Sequence, residues 1–343
     1  MYLLKDKLVD FSKFKKYDSE KMYATYDKWP EIAEESFHSE QKKINFENIN
    51  HIVFAGMGGS GSIGDVFASI LSKTNIHVSV VKGYLLPNTV DKNSLVVVTS
   101  ISGNTIETLT ILHTAKEKNC RIIATSSGGK MENYCKKNNI DFRKIEKNHS
   151  PRASFSGFLY SLIKILSSLI GITDNDVHQS INELKKTREL VSTSNLTLSN
   201  PALQLAKWIT GIPLIYYPAG LNAVAVRFKN SLQENSKLHV MAEDVIEACH
   251  NQIVSWEKIS TVQPILLQGT DDYIKTKERW NIIQEYLELN NIDYKNIISI
   301  KGNILSKMMN LIYFLDYTSI YHAILNEKDP SPVNSINFVK ERL

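Results

Sequence analysis

The segment TSISGNTIET (99–108) carries side chains that could bind an anion. It follows an apolar run and opens a helix-like stretch, and it presents the hydroxyls of Ser100, Ser102 and Thr105 beside Gly103. Hydroxyls and helix-start N–H groups together can hold a phosphate without a fixed positive charge. A helix N-cap needs one such hydroxyl, which Thr105 could supply. Because the loop has more hydroxyls than capping requires, we interpret it as a phosphate site.

A second loop, GMGGSGSIGD (56–65), also lies between an apolar run and a helix-like stretch. Such a turn directs backbone N–H groups at one point, which suits an anion. Gly56, Gly58 and Gly61 have the spacing G-x-G-x-x-G, so a dinucleotide site is one alternative and a structural glycine-rich turn is another. A nicotinamide site needs an acidic residue at the end of the next strand, where Lys82 stands instead.

Both loops belong to a series of alternating strand-like and helix-like segments. Apolar or β-branched runs predict strands at 51–56, 76–82, 94–100, 120–127, 140–145, 212–220, 261–269 and 294–302. Helical spacing predicts helices at 64–73, 105–119, 131–139, 222–237, 272–289, 304–325 and 334–343. This alternation predicts βαβ units and parallel sheets with helices on both faces.

Around 172–200 the pattern changes: a polar helix is predicted at 174–190, and a stretch rich in Ser, Thr and Asn follows at 191–200. This region is the predicted domain boundary. We therefore predict a helical arm over 1–45, a first domain over 46–185 and a second domain over 186–343. The arm is expected to pack on the first domain.

Composition excludes several classes of protein. A length of 343 residues accommodates two domains, and 43% hydrophobic with 22% charged residues is ordinary for a globular chain. A net charge of +4 is too small and too dispersed for a nucleic-acid-binding surface. Three cysteines without a CxxC pair argue against a disulfide framework or structural zinc and favour the cytoplasm. The apolar stretch 157–172 contains Lys164 and predicts a buried helix rather than a membrane span.

The pairing of GMGGSG with SISGNT resembles the sugar isomerase (SIS) domain family. Further blocks are similar to those of the archaeal-type bifunctional phosphoglucose/phosphomannose isomerases, and the resemblance covers roughly 46–343. These blocks are HSPRASF (149–155), QENSK (233–237), ACHNQIVSWE (248–257) and DPSPVNSINFVKERL (329–343). The resemblance implies two SIS-type three-layer α/β/α domains with mainly parallel sheets.

The resemblance also implies an activity, the interconversion of glucose 6-phosphate and fructose 6-phosphate, with mannose 6-phosphate as a second substrate. A proton moves between C1 and C2 through a cis-enediolate, which requires a carboxylate, donors for the developing oxyanion and a ring-opening group. No cofactor or metal is expected. The expected partners are a small-molecule sugar phosphate and a second copy of the chain in a cytoplasmic homodimer, with no nucleic acid and no membrane.

Matching blocks imply roles for individual residues. Glu234 matches the family's base, and Arg152 matches the arginine beside the enediolate oxygens. His250 and Lys340 match the ring-opening residues, and in such isomerases the histidine comes from the neighbouring subunit. The phosphate and sugar contacts fall on Gly59, Ser60, Ser100, Ser102 and Thr105.

One position departs from the family pattern. Val333 stands where some members carry Thr, whose hydroxyl is linked to handling both C2 epimers, so the preference between glucose and mannose stays open. A non-catalytic SIS sensor of sugar phosphates, or another isomerase or aminosugar enzyme on the same fold, is an alternative. The joint presence of Glu234, His250 and Arg152 favours an enzyme over a sensor.

Overall fold

The computed structural model describes residues 9–343, so the first eight residues of the predicted arm lie outside it. Its contacts divide the chain into two compact units. One is Lys28–Ile181, and the other combines Asn182–Leu343 with the described residues of the segment that ends at Asp27. The domain limits proposed from the sequence, at 45/46 and 185/186, stay predictions.

Three short helices begin the described chain: α1 (Phe11–Tyr17), α2 (Met22–Asp27) and α3 (Trp29–His38). The ring of Phe14 in α1 packs edge-on against Tyr321, with the ring centroids 5.8 Å apart. The indole N–H of Trp29 in α3 instead donates to the carbonyl of Ala153 at 2.8 Å. The predicted packing of the whole arm on the first domain is therefore wrong for α1 and α2, because their buried aromatic residues belong to the C-terminal unit.

The Lys28–Ile181 unit contains a five-stranded parallel sheet. Its strands are β1 (His51–Ala55), β2 (His77–Val81), β3 (Leu95–Thr99), β4 (Arg121–Ser126) and β5 (Asp141–Lys144), in the order β2-β1-β3-β4-β5. Every residue of β1 and β3 is buried, as expected for a parallel sheet with both faces covered. The helices are α4 (Gly59–Leu71), α5 (Ile106–Glu117), α6 (Gly129–Asn138) and α7 (Phe155–Ile170). In this strand order, the loops after β1 and β3 flank the point where the winding reverses, which is where open α/β sheets bind ligands.

Two helices follow, α8 (Asp174–Val191) and α9 (Pro201–Trp208). The helix predicted at 174–190 is confirmed by α8, whereas no element was predicted for 201–208, where α9 lies. Asn200, the last residue of the predicted polar stretch, caps α9, because its side-chain oxygen accepts from the Leu203 amide at 3.0 Å.

The C-terminal unit contains a four-stranded parallel sheet of β6 (Ile212–Tyr217), β7 (Met241–Asp244), β8 (Val262–Gln268) and β9 (Lys295–Ile298), in the order β7-β6-β8-β9. Its helices are α10 (Asn222–Ser236), α11 (Val245–Ala248), α12 (Ile274–Leu289), α13 (Ile304–Leu325) and α14 (Asn334–Lys340). The sequence analysis missed β7, because the strand lies at a sheet edge and its short sequence, MAED, has no apolar run.

The predicted α/β class with parallel sheets is confirmed. The apolar stretch at 157–172 forms most of α7, whose residues are largely buried in the core. Between residues 9 and 343, no helix is long and apolar enough to cross a membrane.

Candidate active site

The loop after β1 is built from close backbone approaches that only glycine permits. Gly58 has a φ of +53°, in the left-handed region, and immediately precedes α4. A Cβ on Gly59 would lie 3.0 Å from the carbonyl oxygen of Pro151 and 3.4 Å from the Cα of Arg152. The first turn of α4 is therefore packed against the segment that carries Arg152.

Lys82 also approaches this turn. Its ammonium group pairs with Asp65 at 2.6 Å, and its methylene chain lies 3.2 Å from where a Cβ on Gly61 would stand. Burial raises the pKa of Asp65, and the nearby Lys82 partly offsets that rise. A nicotinamide nucleotide would require an acidic residue at the end of β2, and Lys82 has the opposite charge. This position therefore argues against a nicotinamide site.

The loop after β3 holds its hydroxyls in an ordered arrangement. Ser100 is buried, and its hydroxyl donates to the Thr105 hydroxyl at 3.0 Å while accepting from the Gly103 amide at 3.1 Å. Thr105 occupies the N-cap position of α5, yet its side chain makes no capping hydrogen bond. Ser102 is exposed, and its hydroxyl accepts from the Asn104 amide at 3.3 Å.

One hydrogen bond joins the two loops. The Ile101 amide donates to the hydroxyl of Ser60, a buried residue in the first turn of α4, at 3.3 Å. Ser60, Ser100 and Thr105 thus belong to one connected region at the carboxyl ends of β1 and β3. Helix α4 begins at this end of the sheet, and the positive end of its dipole favours an anion there.

A third loop, after β4, supports the hydroxyl-rich loop and was not singled out from the sequence. The Ser127 hydroxyl donates to the Ile101 carbonyl at 2.7 Å. Gly103 has a φ of +69°, and a Cβ on it would stand 1.8 Å from the Gly128 carbonyl oxygen. The GG pair at 128–129 was a detectable signal, but only the fold shows which loop it contacts.

Arg152 is 5% exposed and lies in the turn before α7. The Ser154 hydroxyl holds this turn by donating to the carbonyls of Asn148 at 2.9 Å and Ser150 at 2.8 Å. Arg152 is therefore buried beside the start of α4, next to the glycine loop.

In the C-terminal unit, Glu234 is half-buried in the last turn of α10. The residues after it fasten this turn to α13. The Asn235 amide nitrogen donates to the Ser319 hydroxyl at 2.8 Å, and the Ser236 hydroxyl donates to the Ser319 carbonyl at 2.8 Å. These two bonds fix the position of the helix turn that carries Glu234.

Lys237 links the same turn to the C-terminal segment. It ends α10 in the left-handed conformation, and its ammonium donates to the carbonyls of Glu234 at 2.5 Å and Pro332 at 2.7 Å. Val333 follows directly and precedes α14, at whose end Lys340 is exposed. The structure thus brings the QENSK block beside the start of the C-terminal block.

His250 lies on an exposed turn between α11 and a 3-10 helix over Gln252–Glu257. The neighbouring Cys249 is a free cysteine whose pKa is raised, chiefly by burial, so its thiol stays protonated at neutral pH. Across residues 9–343, no three or more His, Cys, Asp and Glu side chains are grouped to hold a metal ion.

Comparison with known proteins agrees with this geometry. The SIS domain family matches residues 45–170, and the bacterial phospho-glucose isomerase C-terminal SIS domain matches residues 198–343. A solved structure, the C-terminal domain of glucosamine-fructose-6-phosphate aminotransferase from Francisella tularensis, shares the fold with a TM-score of 0.68 at 18% identity, over 90% of this chain and 96% of that one. The chain is therefore a protein of two SIS-type domains.

Two curated relatives narrow the family. The bifunctional phosphoglucose/phosphomannose isomerase of Caldicellulosiruptor bescii is 32% identical over 88% of this chain and 91% of its own length. The enzyme of the same name from Aquifex aeolicus is 31% identical over 85% of this chain and 90% of its own length. The chain belongs to the bifunctional phosphoglucose/phosphomannose isomerase family.

Proposed function

We propose that this protein interconverts glucose 6-phosphate and fructose 6-phosphate, and that mannose 6-phosphate is a second substrate. Membership of the family makes the chain a sugar-phosphate isomerase. The observation that carries the choice of substrate class is the hydroxyl-rich region joined by the bond from the Ile101 amide to Ser60. It offers hydroxyls and helix-start N–H groups at the point where the winding of the parallel sheet reverses, which suits a phosphate monoester.

We assign the phosphate and sugar contacts to this region. Ser100 and Thr105 bond to each other, and the Thr105 hydroxyl makes no capping bond to its helix. The exposed Ser102 hydroxyl, the Gly59 N–H group and the Ser60 hydroxyl complete the proposed set. Anchoring a remote phosphate positions the reacting carbons and supplies binding energy for the chemical step.

We propose Glu234 as the base that moves the proton between C1 and C2. Its half-buried position supports this role, as does the anchoring of its turn by Asn235 and by the bond from Lys237 to the Glu234 backbone carbonyl. Arg152 is proposed to stabilise the enediolate oxygens, because a buried guanidinium adds positive charge without exchanging a proton. His250 and Lys340 are proposed to open the sugar ring.

We further propose a cytoplasmic homodimer in which His250 serves the neighbouring copy. The exposed turn that carries His250 is compatible with contact to a second chain. The absence of a metal or cofactor requirement also stays a prediction, and its test is full activity in the presence of EDTA.

The deciding experiment measures fructose 6-phosphate isomerisation, coupled to glucose-6-phosphate dehydrogenase, with EDTA present. We expect activity in the wild type and a fall in kcat of about 10²–10⁴-fold in Glu234→Gln, the range for loss of a general base. Gln233→Ala, at the exposed neighbouring position, is the control and should keep the wild-type kcat. Fructose 6-phosphate binding without turnover in the wild type would exclude the catalytic assignment.

Two further measurements complete the assignment. Reaction in deuterated water should introduce deuterium at the transferred position, and complete absence of exchange would argue against an exchangeable base. Mannose 6-phosphate turnover tests the second substrate directly, since Val333 has no hydroxyl to offer the C2 epimers.

A further inference from the structure

A single buried phenol anchors the segment that follows His250. Tyr216 lies on β6 and is 2% exposed. Its hydroxyl donates to the side-chain oxygen of Gln252 and accepts from the indole N–H of Trp256 at 2.7 Å. Gln252 begins the 3-10 helix and Trp256 lies near its end, so one hydroxyl on a central strand holds both ends of this short helix.

The other side of the His250 turn is also fixed. Asp244 caps α11 by accepting from the amides of Ile246 at 2.8 Å and Glu247 at 3.2 Å. The Asn251 amide nitrogen donates to the Glu247 carboxylate at 2.7 Å and so crosses the turn. His250 therefore stands on an exposed turn whose upstream side is set by α11 and whose downstream side is set by the bond to β6.

We infer that Tyr216 is a positioning residue for His250, acting through Gln252 and Trp256, and that it serves the ring-opening step rather than the proton transfer between C1 and C2. The inference rests on the proposed function, in which His250 helps to open the ring. An acid–base group must stand within hydrogen-bond distance of its proton, and displacement by about 1 Å can cost roughly 10²-fold in rate.

Ring opening and isomerisation are separable in their chemistry. In fructofuranose 6-phosphate the anomeric hydroxyl gives its proton to a base, the C2–O5 bond breaks, and O5 takes a proton from an acid as the C2 carbonyl forms. His250 handles one of these two protons and Lys340 the other. The later transfer between C1 and C2 uses Glu234 and needs no further change at O5.

The test uses a substrate that has no ring to open. 5-Deoxy-D-fructose 6-phosphate lacks the O5 hydroxyl, and its O6 is phosphorylated, so it stays open-chain while keeping the distance from phosphate to C2. For Tyr216→Phe we expect kcat/KM for fructose 6-phosphate to fall about tenfold or more, in line with a misplaced acid–base group, and kcat/KM for the deoxy substrate to change less than about twofold. Product formation is followed by NMR for both substrates.

Two further variants make the result specific. Gln252→Met, at a half-buried position, removes the hydrogen-bond acceptor of the Tyr216 hydroxyl. It should reproduce the fall in kcat/KM for fructose 6-phosphate without a comparable fall for the deoxy substrate. Tyr321→Phe is the matched control, because its buried hydroxyl also donates once, to the Val191 carbonyl at 2.6 Å, and accepts once, from Asn200 at 3.2 Å. In the control variant, kcat/KM should change by the same factor for both substrates.

Each outcome decides between the alternatives. Equal losses on both substrates in Tyr216→Phe would make the phenol merely structural, and unchanged kinetics would make its bonds irrelevant; either result overturns the inference. His250→Gln is the benchmark, and equal losses there would overturn the inference together with the ring-opening role of His250. A wild type that turns over neither sugar phosphate would instead refute the proposed function itself.

Discussion

Removal of the Asp316 carboxylate should severely destabilise the C-terminal unit. Asp316 lies on α13 with a side chain that is 1% exposed, opposite Arg227 on α10 at 3%. Its oxygens accept from the guanidinium at 2.5 and 3.1 Å, from the Ser231 hydroxyl at 2.7 Å and from the Tyr26 hydroxyl at 3.1 Å. One carboxylate therefore joins α10, α13 and α2.

The size of the effect follows from the burial of both charges. Breaking a buried ion pair by removing one partner typically costs about 3–5 kcal/mol, because the other charge stays in the core. The free energy of unfolding of a whole protein is usually about 5–15 kcal/mol. Asp316→Asn keeps the shape of the side chain but places an amide against the guanidinium, so we expect a loss of about 3–5 kcal/mol in the free energy of unfolding.

The assay is urea unfolding, followed by tryptophan fluorescence and circular dichroism at neutral pH. The double variant Arg227→Met/Asp316→Leu removes both charges and should recover much of the lost stability, because apolar pairs often replace buried ion pairs without loss. Glu278→Gln is the control: it breaks an exposed pair with Lys275, and the free energy of unfolding should change by less than about 0.5 kcal/mol.

Two results would refute this reasoning. One is a loss of less than about 1 kcal/mol in Asp316→Asn with an unchanged urea m-value, which would mean that the pair contributes no more than an exposed one. The other is a double variant no more stable than the single one, which would mean that packing or the neutral hydroxyl contacts, rather than the unpaired charge, dominate.

Three other perturbations test the loop after β3 and strand β1. Ser100→Ala removes the hydrogen bond to the Thr105 hydroxyl and the one from the Gly103 amide. KM for fructose 6-phosphate should therefore rise about tenfold, the effect of one or two lost hydrogen bonds, and an unchanged KM would contradict the phosphate assignment. Gly103→Ala should lower Tm and raise KM, because its Cβ would stand 1.8 Å from the Gly128 carbonyl oxygen. Gly83→Ala is the control: its Cβ would have nothing within 4 Å, so Tm and KM should not change. Equal effects of the two variants would contradict the packing argument. Burial, with a smaller effect from His77, lowers the pKa of His51 below its usual 6.5, so the folded protein binds fewer protons than the unfolded chain and stability should fall as pH drops below 6.5. That fall, measured as the urea midpoint from pH 8 to about 5, should be smaller in His51→Gln, and an identical fall would exclude this histidine as a source.

Much of the fold could be predicted because its local patterns are strong. The β-branched run of β3 and the alternation of strands with amphipathic helices predicted a parallel α/β architecture, which is confirmed. Prediction failed where the local signal was weak or ambiguous. The edge strand β7 has a polar sequence, and α9 begins at an asparagine cap at the end of a stretch that looks like a linker.

The candidate site divides in the same way. Residue types and loop chemistry were enough to propose, from sequence alone, the serines and threonine after β3 and the glycines after β1 as candidate site residues. Sequence could not show that the Gly103 loop fits against Gly128, that Lys237 spans to Pro332, or that Tyr216 anchors the segment after His250. These contacts join residues 25 to 95 positions apart in the chain.

The sequence by itself determined most of the elements and the chemical character of the loops, because hydrophobic periodicity and turn chemistry act over a few neighbouring residues. Only the tertiary structure decided which loops meet, which helix the N-terminal aromatic residues join, and which buried groups hold Glu234 and His250 in place. Those outcomes depend on side-chain packing and hydrogen bonding between distant segments, where many pairings are compatible with the same local pattern and close packing selects one.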